Sequence, residues 1–236
     1  MLPISTKETV RYVPSEYDSL AAEAAVKAAD KVAKITPENA TAEERAAATR
    51  ALDAATAARA AVEQRLAESG GIPTYFLAVP SLRDRLAYRR ALAATGARYA
   101  TDAELLATMR EGVNAVVAED QRAILIDILD RFEGAPEAER AGEIADQVEE
   151  IGRVLRPAFA GYAELLADRQ YWLEMAPLLA AQHFLRGWEN AGATFKRTGN
   201  LAAEDCLRGI PERHLAEVGW KALALMGPPS KAAEKN

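Results

Sequence analysis

Cysteine and histidine are scarce in this sequence, and their scarcity excludes several kinds of site. The 236 residues include one cysteine, Cys206, and two histidines, His183 and His214. A single cysteine excludes an internal disulfide and suits a reducing compartment. Two histidines exclude a histidine-rich metal site. His214 and Glu217 have the spacing of two ligands on one helical face, but no second pair accompanies them, so we expect a helix-surface pair and no metal.

Long apolar runs are missing as well. The first residues, MLPISTKETV, lack the positively charged start and the apolar stretch of a secretory signal. The best candidate for a membrane span, MAPLLAAQHFL, is much shorter than the about 20 residues that a spanning helix needs, and it contains Gln182 and His183. We therefore expect a cytoplasmic protein that does not enter a membrane.

Catalytic motifs are also lacking. The sequence has no Gly-x-Ser-x-Gly nucleophile, no Walker loop and no Gly-x-Gly-x-x-Gly dinucleotide motif. Cys206, in AAEDCLRG, has no histidine placed by a known motif to activate its thiol. The carboxylates are mixed evenly with basic residues, as on solvated helix faces. We expect no enzymatic activity and no cofactor.

The net charge of −6 and the pI near 5.2 disfavour nucleic-acid binding unless basic residues are segregated. The strongest local excess of positive charge is Arg83, Arg85, Arg89 and Arg90. On a helix, Arg83 and Arg90 share a face, and Arg85 and Arg89 lie on a neighbouring strip. This arginine face either docks an acidic partner or pairs with nearby carboxylates as an ordinary solvated surface.

The aromatic segment near the C-terminus contains the second candidate for a partner contact, Trp188. We expect this tryptophan to lie in a helix among apolar neighbours, together with Trp172, Phe184 and Trp220. Buried, these side chains are core; exposed, they are binding anchors. The helix expected over residues 162–190 contains Pro177, which should kink or interrupt it.

Alanine dominates the segment from Ala21 to Glu68, where it makes up 20 of 48 residues and aromatic residues are absent. This composition predicts two helices, separated near Thr36–Pro37 and restarted by a capping box at Thr41–Glu44. The predicted packing stripes are Leu20, Ala24, Ala28, Val32 and Ile35 in the first helix, and Ala48, Leu52, Ala55, Val62 and Leu66 in the second.

Two short segments flank the alanine-rich stretch, and each ends at a Val-Pro-Ser triplet. ETVRYVP and PTYFLAVP are rich in residues that favour strands, and Pro14 and Pro80 end them. We predict that residues 9–13 pair with residues 74–79. The alanine-rich residues 19–69 are then a helical hairpin inserted between two neighbouring strands.

The remainder of the sequence is predicted to be helical. Residues 81–132 form three helices that complete an N-terminal part, 1–134; GAPEAER separates it from a C-terminal helical subdomain, 135–226, and residues 227–236 form a flexible tail. The fold class is mainly α: a helical bundle with a short N-terminal two-stranded β element and an inserted alanine-rich hairpin.

This order of segments resembles a known family. Short strands near the start, IPTYFLAVPSLRDRLAYRRAL, a helical body, YWLEMAPLLAAQHFLRGWEN, and the end KAAEKN are similar to the tail assembly chaperones of long-tailed, siphovirus-type bacteriophages and prophages. The resemblance is one of overall organisation and covers most of residues 1–236. The alanine-rich hairpin is not a feature associated with that family.

The resemblance implies a role in phage tail morphogenesis. Such a chaperone binds the tape measure protein, helps tail tube subunits polymerise around it in the cytoplasm of the bacterial host, and is absent from the finished virion. The expected partners are therefore the tape measure and tail tube proteins. The alternative is a helical structural or adaptor protein, including one that remains in the virion.

Overall fold

The computed structural model describes residues 9–35, 40–68, 70–136, 139–192 and 194–227. This part of the chain is mainly helical with a small antiparallel sheet, as predicted. The helices are α1 (Ser19–Ile35), α2 (Ala42–Glu68), α3 (Leu82–Ala94), α4 (Asp102–Val116), α5 (Glu119–Gly134), α6 (Glu143–Ala158), α7 (Ala160–Phe184), α8 (Glu204–Leu207) and α9 (Glu212–Ala224). The strands are β1 (Thr9–Tyr12), β2 (Thr74–Ala78), β3 (Leu185–Glu189), β4 (Arg197–Thr198) and β5 (Leu201–Ala202).

The chain divides into two compact units. Unit 1 contains the described residues up to Arg89 and those from Pro177 onward, and unit 2 contains Arg90–Ala176. This division differs from the boundary predicted at residue 134. The reason is that β3 pairs with β2, which joins the C-terminal segment to the N-terminal strands.

The predicted pairing of the N-terminal strands is confirmed. β1 and β2 are antiparallel, with Thr9 opposite Ala78 and Tyr12 opposite Tyr75. The prediction of two strands is incomplete, because β3 pairs with the other edge of β2. β2 is therefore the central strand, and the side chain of Tyr75 is completely buried. Both edges of β2 therefore have a strand partner, and the pairing with β3 shifts register between Phe76 and Leu77.

The predicted helical hairpin is also confirmed, since α1 packs against α2. At the start of α2, the Glu44 amide donates to Thr41 Oγ1 at 3.2 Å and the Thr41 amide donates to the Glu44 carboxylate at 2.7 Å, as in the predicted capping box. The break predicted at Thr36–Pro37 lies outside the described residues.

The structure bears out only one of the two predicted packing stripes. In the α2 stripe, Val62 is buried and the other four residues are half-buried. The α1 stripe is wrong: Leu20 and Val32 are 77% and 61% exposed, and the side chain of Ile35 lies outside the described part. The half-buried apolar positions of α1 are instead Ala22, Val26, Ala29 and Ala33. Alanine occurs on every face of α1, so the spacing of apolar residues alone did not identify the face that packs against α2. Small residues also let the backbones of α1 and α2 approach closely on any of these faces.

Unit 2 is built around one apolar cluster contributed by α4, α5, α6 and α7. Its buried members are Leu106, Met109, Val113, Leu129, Ile151, Leu155 and Tyr162. The predicted capping box at the start of α4 is present: Thr101 Oγ1 accepts from the Glu104 amide, and Glu104 accepts from the Thr101 amide. At Gly152 of α6, a Cβ would lie 2.6 Å from Tyr162 Oη, so glycine permits the close approach of α7.

The helix that contains Pro177 is not interrupted there, because α7 continues to Phe184. In unit 1, α9 passes so close to the backbone of Pro177 that a Cβ at Gly219 would clash with its carbonyl group. Of the tail predicted over residues 227–236, only Gly227 is described. Within the described ranges, no helix has the length and apolar character needed to cross a membrane.

Candidate functional site

The predicted arginine face is only partly on the surface. Arg83, Arg89 and Arg90 are exposed, whereas Arg85 is half-buried. Arg85 donates a hydrogen bond of 3.2 Å to the carbonyl oxygen of Met226. Its Nε is buried and has no hydrogen-bond partner within the described part of the chain. Arg85 therefore contacts the backbone just after α9, and the exposed strip is reduced to the three other arginines.

Trp188 lies in strand β3, so its predicted helical environment is wrong. Its side chain is half-buried and packs edge-on against Tyr75 and Phe195, with ring centroids 6.5 Å and 4.9 Å away. Phe184 is completely buried, and Trp220 is 40% exposed. Trp188 thus contributes to the packing of one face of the sheet.

The sequence did not predict a polar cluster that lies in unit 1. We call it the His214 cluster; its members are Tyr12, Ser15, Glu16, Tyr75, Arg213, His214 and Glu217. His214 is 3% exposed, and its two ring nitrogens contact Glu16 Oε1 at 2.5 Å and Tyr75 Oη at 3.0 Å. The expectation of a helix-surface pair formed by His214 and Glu217 is therefore wrong, because His214 is buried between the sheet and the turn at Ser15–Tyr17.

Glu217 also binds the turn at Ser15–Tyr17. Its carboxylate accepts hydrogen bonds from Tyr12 Oη at 2.9 Å, Ser15 N at 2.8 Å, Ser15 Oγ at 2.7 Å and Arg213 Nε at 3.1 Å. Burial by itself raises the pKa of Glu217, but the hydrogen bonds outweigh burial and hold it below the ordinary value. Burial and the hydrogen bond to Glu217 raise the pKa of Tyr12.

The His214 cluster joins the turn at Ser15–Tyr17 to α9 and β2. Both nitrogens of His214 are occupied by side chains of the protein, and Tyr75 is completely buried. Among the described residues, no group of three or more His, Cys, Asp and Glu side chains is placed to hold a metal ion.

Unit 2 contains an open groove of about 600 Å³. Four lining residues come from α4, and the others come from α5, the connection after it, α6 and α7. The lining residues are Asp102, Leu105, Leu106, Met109, Phe132, Arg140, Val148 and Tyr162. We call it the unit 2 groove. Leu106, Met109 and Tyr162 are buried and form its floor, and Leu105, Phe132 and Val148 are half-buried at its sides.

Two polar groups stand out in this apolar lining. Arg140 is fixed by hydrogen bonds of 2.8 Å to the carbonyl oxygens of Ala135 and Glu133, and its guanidinium lies over the Phe132 ring, 5.7 Å from the centroid. It has no ion pair with a carboxylate of the described residues. The hydroxyl of Tyr162, a residue 7% exposed, likewise has no hydrogen-bond partner there, and burial raises its pKa.

The carboxylate in the lining is already neutralised. Asp102 Oδ1 accepts from Arg169 at 2.5 Å, and the Arg169 guanidinium lies over the Tyr99 ring. The groove thus combines an apolar floor, a paired carboxylate and an arginine that forms no ion pair with a described carboxylate. Mostly apolar concavities with a few fixed polar groups are typical of binding sites.

Sequence reasoning did not identify this groove. Its floor residues have the spacing of ordinary core positions, and Arg140 lies in GAPEAER, which predicted only a boundary. No known protein family, curated protein or solved structure matches the chain. The geometry of the unit 2 groove is therefore the main guide to function.

Proposed function

We propose that the protein is a non-enzymatic assembly chaperone that binds a helical partner during phage tail morphogenesis. The observation that carries the proposal is the unit 2 groove, an apolar concavity that is open to solvent on the surface of a helical unit. Grooves of this kind accept the apolar face of an amphipathic helix. The order of segments resembles that of tail assembly chaperones. This resemblance suggests that the process is tail assembly and that the partners are the tape measure and tail tube proteins.

The His214 cluster supports a binding role rather than catalysis. Its hydrogen bonds hold the turn at Ser15–Tyr17 against α9, so its polar groups serve the fold of unit 1. Among the described lining residues, the carboxylate of Asp102 is paired with Arg169 and not with a side chain that could act as a nucleophile.

Co-expression with candidate partners tests the proposal. A phage tape measure protein, tagged and produced together with this chain, should retain it through purification and gain solubility from it. The tail tube protein serves as the second bait. Failure of both baits to retain the protein would contradict the chaperone role.

Mass spectrometry of purified virions separates the chaperone from a structural protein. A chaperone is absent from finished particles or present only in traces. Abundant peptides of this chain in intact virions would favour the alternative, a component that remains in the particle.

A further inference from the structure

We propose that the outer face of α3 docks an amphipathic helix whose apolar stripe is bordered by acidic side chains. The residues of this α3 face are Leu82, Arg83, Leu86 and Arg89, and all four are exposed. The inference does not use the unit 2 groove, and it holds whether or not the protein acts in phage tail assembly.

The α3 face contains a pair of exposed leucines. Leu82 and Leu86 are 67% and 56% exposed and lie one helical turn apart. Single apolar side chains are common on protein surfaces, but two neighbouring leucines form a small apolar patch. Their exposure shows that the described part of the chain leaves this patch uncovered.

Arginines lie on both sides of the leucine pair. At roughly 100° per residue, the order around the helix is Arg89, Leu82, Leu86 and Arg83. Neither of these arginines forms an ion pair with a carboxylate of the described residues. An apolar pair bordered by two guanidinium groups therefore faces solvent.

The one carboxylate of α3 does not neutralise this face. Asp84 is half-buried and accepts hydrogen bonds from the Ser81 amide at 3.1 Å and the Ser81 hydroxyl at 2.6 Å. Burial raises the pKa of Asp84, but these hydrogen bonds and the charges of Arg186 and Arg83 hold it below the ordinary value. Asp84 thus serves the start of the helix, and the exposed groups of the α3 face carry positive charge only.

The composition of unit 1 does not oppose this local excess of positive charge. The sequence of Met1–Arg89 and Pro177–Asn236 contains 20 Lys and Arg residues and 18 Asp and Glu residues, whereas Arg90–Ala176 contains 9 and 17. The negative charge of the chain therefore resides in unit 2, and the α3 face belongs to unit 1. Charge complementarity selects a partner that carries acidic groups.

The opposite side of α3 holds the face in place. Tyr88 is 4% exposed and packs against Phe184 with ring centroids 5.7 Å apart, and Arg85 donates to the carbonyl oxygen of Met226. A face presented by a fixed helix needs little reordering when a partner binds, which favours affinity.

A partner helix fits these features better than a lipid bilayer does. Leucines spaced by four residues on the partner pack against Leu82 and Leu86, as ridges of one helix fit the grooves of another. Glutamates on both sides of that stripe reach the two arginines and form charge-assisted hydrogen bonds. Two leucines bury too little apolar area to hold a membrane by themselves.

Peptide binding by the full-length protein tests this inference. The probes are two labelled helical peptides of about 20 residues with leucines along one face. One carries glutamates on both sides of the leucines, and the other carries lysines at the same positions. Fluorescence anisotropy should show that the glutamate peptide binds roughly tenfold more tightly than the lysine peptide. Hydrogen exchange in the complex should slow in α3.

Charge reversal of the arginines sharpens the test. Arg89→Glu should weaken binding of the glutamate peptide roughly fivefold, and Arg89→Glu combined with Arg83→Glu should reverse the preference in favour of the lysine peptide. Arg50→Glu is the matched control, because Arg50 is an exposed arginine of α2. The thermal midpoint should change little in each variant, since exposed charges contribute little to stability.

Truncation of the leucines tests the apolar contact separately. Leu82→Ala combined with Leu86→Ala should weaken binding of the glutamate peptide roughly tenfold and leave the thermal midpoint near that of the wild type, since alanine favours the helix and both side chains are exposed. Leu20→Ala is the control, because Leu20 is 77% exposed in α1.

Several outcomes would overturn the inference. These are equal binding of the two peptides, effects of the α3 variants no larger than those of their controls, or binding to phosphatidylserine vesicles without binding to the glutamate peptide, which would assign the face to a lipid surface. Failure of the proposed function is distinguishable. Peptide binding at α3 without retention by a tail protein keeps the inference, whereas retention by a tail protein without peptide binding refutes the inference alone.

Discussion

At the scale of single residues, one carboxylate connects three parts of unit 1. Glu16 contacts His214 at 2.5 Å, Arg213 at 3.5 Å and Arg65 of α2 at 4.0 Å. Glu16 therefore links the turn before the hairpin to α9 and to the C-terminal end of α2. The pair with Arg65 is exposed enough to contribute little, so the contact with the buried imidazole matters most.

Glu217 gives this arrangement a dependence on pH. The pKa of Glu217 is lower in the folded state than in the unfolded state. Its carboxylate therefore stabilises the folded protein above the unfolded pKa of about 4.3, and this stabilisation is lost as the pH falls through the lower folded pKa. We expect Glu217→Gln to reduce the unfolding free energy by about 1 to 3 kcal/mol at pH 7, and the difference from wild type to shrink below about pH 4.

Urea denaturation at several pH values measures this effect. The control is Glu149→Gln, because Glu149 is an exposed carboxylate of α6 without a described hydrogen bond. A Glu217→Gln difference that stays constant from pH 7 to about pH 3 would contradict the assigned role of the carboxylate.

Trp188 offers a second prediction at this scale. Trp188→Ala removes edge-on contacts with Tyr75 and Phe195 and should lower the unfolding free energy by about 2 kcal/mol, less than the about 3 to 5 kcal/mol of a fully buried aromatic. Trp188→Phe should cost much less. If Trp188→Ala has wild-type stability but no longer binds the tape measure protein, Trp188 is a partner anchor and not a packing residue.

At the scale of elements, the α1–α2 hairpin is the most separable part of the fold. Most of its side chains are exposed, and the only buried side chain of α2 is Val62. The strands on either side of it pair directly with each other. The hairpin therefore contributes little apolar burial to unit 1, and the turn at Ser15–Tyr17 precedes it in the chain.

Removal of the hairpin should leave a folded protein. We expect deletion of residues 21–70, with the ends joined by a short glycine-containing turn, to lower the thermal midpoint modestly and to preserve a cooperative transition. Circular dichroism should lose helical signal in proportion to the deleted residues. A broad, non-cooperative transition would show that the hairpin is part of the core.

At the scale of the whole molecule, unit 1 is assembled from both ends of the described chain. β2 is paired on one side with β1 and on the other with β3, and α9 supplies His214 and Glu217. Unit 2 is formed by a continuous segment with its own apolar cluster. The two units therefore depend on different parts of the chain for stability.

A truncation tests this dependence. A chain that ends at Ala176 lacks β3 and α9, so β2 loses a strand partner and the turn at Ser15–Tyr17 loses its clamp. Hydrogen exchange should then show β1 and β2 unprotected, while α4, α5 and α6 keep their protection. Protected strands in the truncated chain would contradict the contribution of the C-terminal segment to unit 1.

The sequence by itself determined the features that depend on local pattern. The strand pair, the inserted hairpin, the capping boxes at Thr41 and Thr101 and the mainly helical class all followed from propensity, spacing and caps. Tertiary structure decided the rest. Leu185–Glu189 became a strand because the open edge of β2 required a partner, which no local signal in LRGWE indicates. Arg140 and Tyr162 face one groove only because α4, α5, α6 and α7 pack around a shared core, and long-range packing of that kind has no signature in residue spacing.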